Sequence, residues 1–251
     1  MKPESASADN MLWEVLESSD RSLEDDPRDV EACLYKGMAL NRLRRYEEGF
    51  ACLDRAVEIA EEDDKDMARE VAYASKGMAM NRMRRYNDAV SYYKKALKIN
   101  PARGLSHFFM GNVLDNMEKS AESITHFDRA IRLQCRTPDV YRGKAHALNN
   151  CKRPREAIEC LNELLRLYPD YADGHYEMAT SYASMRDHRR SIKCYKMAIK
   201  ADPDHKKAHE YLGIAYMAVH QDSLARPCLN RALELAPGDP GVLELLALLE
   251  D

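Results

Sequence analysis

The chain has 251 residues, 45% of them hydrophobic and 32% charged, with a formal net charge of −4. That balance supplies no bulk basicity, so a nucleic-acid partner is not expected. No stretch approaches the roughly 18 consecutive apolar residues of a membrane span, and the opening MKPESASADN lacks the apolar run of a secretory signal. A cytoplasmic protein without a membrane span is the expectation.

In chain order, residues 1–9 are polar and expected to be disordered. NMLWEVLESSDRSLE, at 10–24, carries apolar residues at helical spacing ahead of Pro27 and predicts an N-terminal capping helix over 10–26. The sequence then repeats as far as 237. Small residues recur at Gly37, Gly77, Gly111, Ala145, Ala179, Gly213 and Ala247, every thirty-four residues after a first interval of forty. A second series follows at Gly49, Ala89, Ser123, Ala157, Ser191 and Ala225, and a third at Ala56, Ala96, Ala130, Ala198 and Ala232, with Leu164 out of pattern. Periods of this length mean stacked helix pairs, each crossing its neighbour at the small residues. Six units result, at approximately 30–63, 70–103, 104–137, 138–171, 172–205 and 206–239. Proline at 101, 169, 203 and 237 ends second helices, and Asp170, Asp204 and Asp239 are expected to cap the helices that follow. The extra residues of the first interval fall at EEDDKD (61–66), predicting a longer second helix and an acidic loop. Residues 240–251 predict an apolar C-terminal capping helix, which is also a candidate homodimer contact.

These residues resemble the tetratricopeptide repeat family, whose consensus places W-L-G-Y in the first helix and A-F-A-P in the second. The second unit supplies Tyr73, Lys76, Gly77, Met80, Ala89, Tyr93, Ala96 and Pro101; the sixth supplies His209, Leu212, Gly213, Tyr216, Ala225, Leu229, Ala232 and Pro237. Departures include Pro154, Leu164, and lysine at 36, 76 and 144 where leucine is usual. The resemblance implies an all-α, right-handed solenoid of six helix pairs. It also implies a non-catalytic adaptor or scaffold whose concave groove holds an extended or helical segment of another protein.

Mapped onto this chain, the resemblance puts Tyr35, Met38, Met78, Phe108, Phe109 and Asn112 in the groove of the first three repeats, with Leu34, Val71, Ala74, Ser75 and Leu105 beside them. Arg142, His146, Asp173, Glu177, Lys207 and Glu210 take those places in the last three. Methionine and aromatic side chains suit apolar side chains of a partner. Asn41, Asn81, Asp115 and Asn149 recur at one position in four consecutive units. Such a row can grip a peptide backbone, or each member can cap its own helix. The turns within repeats are basic (Arg44, Arg45, Arg84, Arg85, Arg153, Arg189 and Arg190), a rim suited to an acidic partner or simply to solubility. The two-carboxylate clamp that related co-chaperones use on heat-shock-protein tails is missing: Leu34, Met38, Ser75, Leu105 and Phe109 stand in its slots, so that partner is disfavoured.

Chemistry is sparse elsewhere. Four of the seven cysteines (Cys52, Cys160, Cys194 and Cys228) share one repeat position, too far apart to pair, and are expected to be small packing residues. No phosphate-cradling loop or catalytic motif is present, so neither an enzyme nor a cofactor is expected. His205 and His209 have metal-ligand spacing but no third ligand. An assembly subunit that self-associates through its C-terminal helix and charged rims is the alternative function.

Overall fold

The computed structural model describes the backbone of residues 3–249 and the side chains of 10–249. Fourteen helices occupy the described residues, which contain no strand: α1 (Pro3–Asp25), α2 (Val30–Arg42), α3 (Tyr46–Glu62), α4 (Asp66–Arg82), α5 (Tyr86–Ile99), α6 (Gly104–Asn116), α7 (Ser120–Arg132), α8 (Pro138–Asn150), α9 (Pro154–Leu167), α10 (Ala172–Ser184), α11 (His188–Ala201), α12 (Lys206–Met217), α13 (Asp222–Leu235) and α14 (Pro240–Ala247). They form an all-α solenoid in two compact units, residues 1–135 and 136–251. In each, consecutive helices pair and each pair packs on the next.

The recurring small residues lie where helices meet. A methyl group on Gly111 would stand 2.8 Å from the Phe127 ring, and on Gly77 2.9 Å from Tyr93. Tyr93 and Phe127, at 1% and 0% exposure, are among the largest fully buried side chains. The large residue of each second helix therefore fills the space that the small residue of its first helix leaves.

The first helices end in one recurring way. Arg44, Arg84, Glu118, Lys152, Arg186 and His220 all adopt positive φ, between 56° and 64°. The next residue's amide then reaches back five residues, as from Arg45 to the Leu40 carbonyl at 2.9 Å and from Arg85 to Met80 at 2.9 Å. This is the Schellman arrangement, built here without glycine. Arg84→Gly relieves the side-chain clash of that conformation but frees the unfolded chain. We expect a net gain of about 0.5–1 kcal/mol, read from the denaturant midpoint.

The unusual lysines are explained by their neighbours. Lys76 is 5% exposed, pairs with Asp54, and lies 5.7 Å from the Phe50 ring centre and 5.2 Å from that of Tyr92. Lys36 repeats the pairing with Asp20 of α1 at 2.5 Å. Asp20 precedes Asp54 by one repeat length, so α1 takes the place of a second helix, with Leu16 buried against Ala39 and Leu40.

Several expectations need correction. Helix α1 begins at Pro3 rather than after residue 9, because Pro3 suits a helix start and no breaker follows it; residues 1 and 2 lie outside the described residues. The insertion is divided: α3 and α4 each have 17 residues, leaving Asp63, Asp64 and Lys65 as the link. Of the three acids expected to cap, Asp239 does so, accepting from Gly241 and Val242; Tyr171 and His205 hold the cap positions of α10 and α12. Leu34 and Ser75 are buried. Cys160 and Cys194 are buried and Cys52 and Cys228 partly so, and no disulfide joins the cysteines among the described residues.

Candidate partner-binding surfaces

In the first unit, one face of α2, α4 and α6 carries an apolar surface. Tyr35 is 56% exposed, while Met38 and Met78 are half-buried beside it. Phe109 is half-buried, stacked on Tyr93 at 6.1 Å and 5.2 Å from Phe108, which leans on Phe127. Two hollows open on this face. One of ≈ 540 Å³ lies at the start of α2, with Val30, Met67 and Val71 in its wall. The other, of ≈ 440 Å³, lies toward the ends of α2 and α4, between Met78, Phe109 and the α1 residues Leu12 and Val15. Tyr35 and Met38 line both, so the two form one trough. The contribution of α1 was not legible in the sequence, because nothing local says which way its first half turns. Asn112 is half-buried on the same helix as Phe109.

The asparagine row is used differently from either sequence reading. Asn41 is 6% exposed, and both polar atoms of its carboxamide are buried without a hydrogen-bond partner. A methyl group on Gly49 would stand 2.4 Å from its Oδ1, so Asn41 is wedged against α3 in the wall of the smaller hollow. Asn81 Oδ1 accepts from Asn116 on α6 at 3.2 Å. Asp115 Oδ1 accepts from Ser120 Oγ at 2.9 Å, and Asn149 Nδ2 donates to Ser181 on α10 at 2.9 Å. The Asn81 and Asn149 bonds thus join successive first helices, and capping falls to the backbone.

The second unit carries a polar surface in the corresponding place. Arg142 donates to Asp139 at 3.1 Å, and exposed His146 meets Asn150 at 3.3 Å. Burial holds the Glu177 carboxyl above its ordinary range, against the opposing pull of His146 and Arg142. Tyr176, Tyr195 and Tyr211 cluster on this side, with Tyr176 5.8 Å from Tyr211 in an edge-to-face arrangement.

The basic rim is partly neutralised. Arg45 pairs with Glu48 at 2.6 Å, Arg85 with Asp88 at 2.7 Å, Arg153 with Glu156 at 2.6 Å and Arg190 with Asp187 at 3.2 Å. Arg44, Arg84 and Arg189 make no ion pair among the described residues. The acid three residues from each paired arginine was visible in the sequence, but Arg44 has Glu47 at the same spacing, so spacing alone does not separate the two groups.

Histidines join the pairs. His107, His175 and His209 each place Nε2 near the carbonyl of the proline six residues earlier, at 3.1, 2.8 and 2.9 Å. His205 meets Asp173 at 3.0 Å, and its Nδ1 accepts from the Ala208 amide at 3.1 Å. Both histidines once considered for a metal thus face other partners, and the described residues contain no metal-binding cluster of three.

His107 Nδ1 lies 3.1 Å from His126 Nδ1. Both contacts of His107 are hydrogen bonds when it is protonated on Nε2 and His126 on Nδ1, each ring neutral. Burial lowers both pKa values, and for His126 the His107 ring adds to it. A depressed pKa means that this packing contributes in full above the unfolded value near 6.5 and is lost as pH falls through the folded values. The urea midpoint of the protein is expected to fall between pH 7.5 and 5.5, and the fall to shrink in His126→Phe. An unchanged slope would rule the pair out as its source.

Profiles of the tetratricopeptide repeat match residues 30–102, 138–181 and 176–240. The chain belongs to the tetratricopeptide repeat family. Solved structures agree on the fold. YrrB, described as a TPR protein with an unusual peptide-binding site, matches with a TM-score of 0.60 at 19% identity, over 75% of this chain and 96% of its own. PilF of Pseudomonas aeruginosa matches at 0.71 and 18% identity, over 89% of this chain and 100% of its own. A chain of the APC/C Cut9–Hcn1 hetero-tetramer matches at 0.74 and 14% identity, over 97% of this chain and 46% of its own. A search of curated proteins finds no match to this sequence. Among the described residues, no helix of this repeat protein is long and apolar enough to cross a membrane.

Proposed function

We propose that this tetratricopeptide repeat protein is a non-catalytic, cytoplasmic adaptor that holds a peptide segment of a partner protein on the first helices of its first unit. The observation that carries the reading is the apolar trough around Tyr35, Met38, Met78 and Phe109, whose two hollows fall within the usual size range of ligand sites. Family membership supports it, since these repeats serve generally as interaction scaffolds, and YrrB is a relative in fold with a peptide-binding site. The test is a displayed-peptide library selected against the full chain. Binders are expected to lose at least about tenfold in affinity to Met38→Glu/Met78→Glu, each introducing a charge into an apolar wall, while thermal unfolding is unchanged. Binders indifferent to that variant would place the site elsewhere.

A second reading is self-association through α14. Val242 is buried there, but Leu243 and Leu248 are 47% and 60% exposed. Light scattering that reports a dimer in the native chain and a monomer in Leu243→Glu/Leu248→Glu would favour it.

A further inference from the structure

The trough has oppositely charged ends, and this bears on what fits in it. At the end of α2 and α4, Arg42 and Arg82 line the smaller hollow, are exposed, and make no ion pair among the described residues. Arg44 and Arg84 stand close by in sequence, also without ion pairs among the described residues. At the start of α2, Asp26 and Glu31 line the larger hollow and are exposed, again without ion pairs among the described residues. The cations near them are already engaged: Arg28 holds Glu62 and Asp63 at 2.7 and 3.0 Å, and Lys65 holds Asp63 at 3.0 Å. Hydrogen bonds from Ser22 and the Ala32 amide, acting against burial, keep Asp29, between them, ionised to lower pH than usual. The trough therefore has an uncompensated cationic end, an apolar middle and an uncompensated anionic end. The ends are separated by the 13 residues of α2, about 20 Å at 1.5 Å per residue.

Resting on the groove reading above, we propose that the occupant is an amphipathic helix of a partner, of about three to four turns, running antiparallel to α2 and α4. Its acidic first turn meets Arg42 and Arg82, its apolar stripe covers Tyr35, Met38 and Met78, and its basic last turn meets Asp26 and Glu31. Helices favour acids in the first turn and bases in the last. A helix of ordinary charge polarity therefore matches the trough, through its side chains, in the antiparallel direction. A parallel helix of the same kind meets like charge at both ends. Each contact is solvent-exposed and individually weak, so the ends select direction and partner while the apolar middle supplies most of the affinity.

The experiment titrates the full chain with four fluorescent helical peptides sharing one leucine- and methionine-rich stripe. Their ends are acid-first and base-last, acidic at both, basic at both, or serine at both. The acid-first, base-last peptide is expected to bind about tenfold more tightly than the serine-ended one, with the advantage lost in high salt. In Arg42→Glu/Arg82→Glu, whose exposed positions leave folding intact by thermal melting, the preference moves to the peptide basic at both ends. Equal binding of the charged and serine-ended peptides, sensitive to Met38→Glu/Met78→Glu, overturns the charge inference and leaves the groove reading standing. Absence of binding by all four, or binding insensitive to the methionine variant, overturns both.

Discussion

Phe127→Ala is expected to destabilise the first unit by about 3–5 kcal/mol, the range for removing a large aromatic ring from a closed core. Phe127 is fully buried, packs over Gly111 and supports Phe108. Its loss empties the crossing of α6 and α7. In a repeat stack stability comes from each pair and its immediate neighbours, so a cavity there also loosens the packing of α6 on α5. Phe108→Ala, at a half-buried position, is the control and is expected to cost less than half as much. Urea unfolding followed by helical circular dichroism measures both. A cost below about 1 kcal/mol for Phe127→Ala would mean that this crossing is not the closed core described.

The second large effect is a charge reversal at Lys76. This ammonium is held by Asp54 and the faces of Phe50 and Tyr92, groups that all favour a cation. Lys76→Glu would set a carboxylate against Asp54 and the negative ring faces in a position only 5% exposed. Leaving a buried charge without compensation costs about 3–5 kcal/mol. Lys76→Leu, the residue usual in this repeat position, is expected to be neutral or mildly stabilising, because Asp54 stays largely hydrated and the two rings gain an apolar neighbour. Thermal unfolding of the two variants side by side decides the matter: if Lys76→Glu melts with the native chain, the lysine is not held as described.

The two surfaces divide by chemistry. The first unit offers an apolar trough with charged ends, and the second a polar face on which Arg142, Glu177 and Asn149 already have protein neighbours. The trough is thus the stronger candidate for a partner, because its apolar middle gains most by being covered. The rim contributes fewer free charges than its arginine count suggests, since four of the seven arginines expected there are paired locally.

Sequence by itself determined the helix pairs. The spacing of Gly37, Gly77 and Gly111 against Leu53, Tyr93 and Phe127 needs only helical geometry and the contrast between small and large side chains. Both are properties of residues a few turns apart, and they repeat. Tertiary structure alone decided which polar groups are free. Asn41, Asn81 and Asn149 are the same residue at the same repeat position, yet the first is wedged over Gly49 while the others bond to the next first helix. Likewise, Leu12 and Val15 of α1 complete a hollow with residues of three other helices. Whether a side chain is buried, paired or offered depends on what the neighbouring helix brings against it, and that helix is the next in the chain for Asn41 and the next-but-one for Asn81 and Asn149.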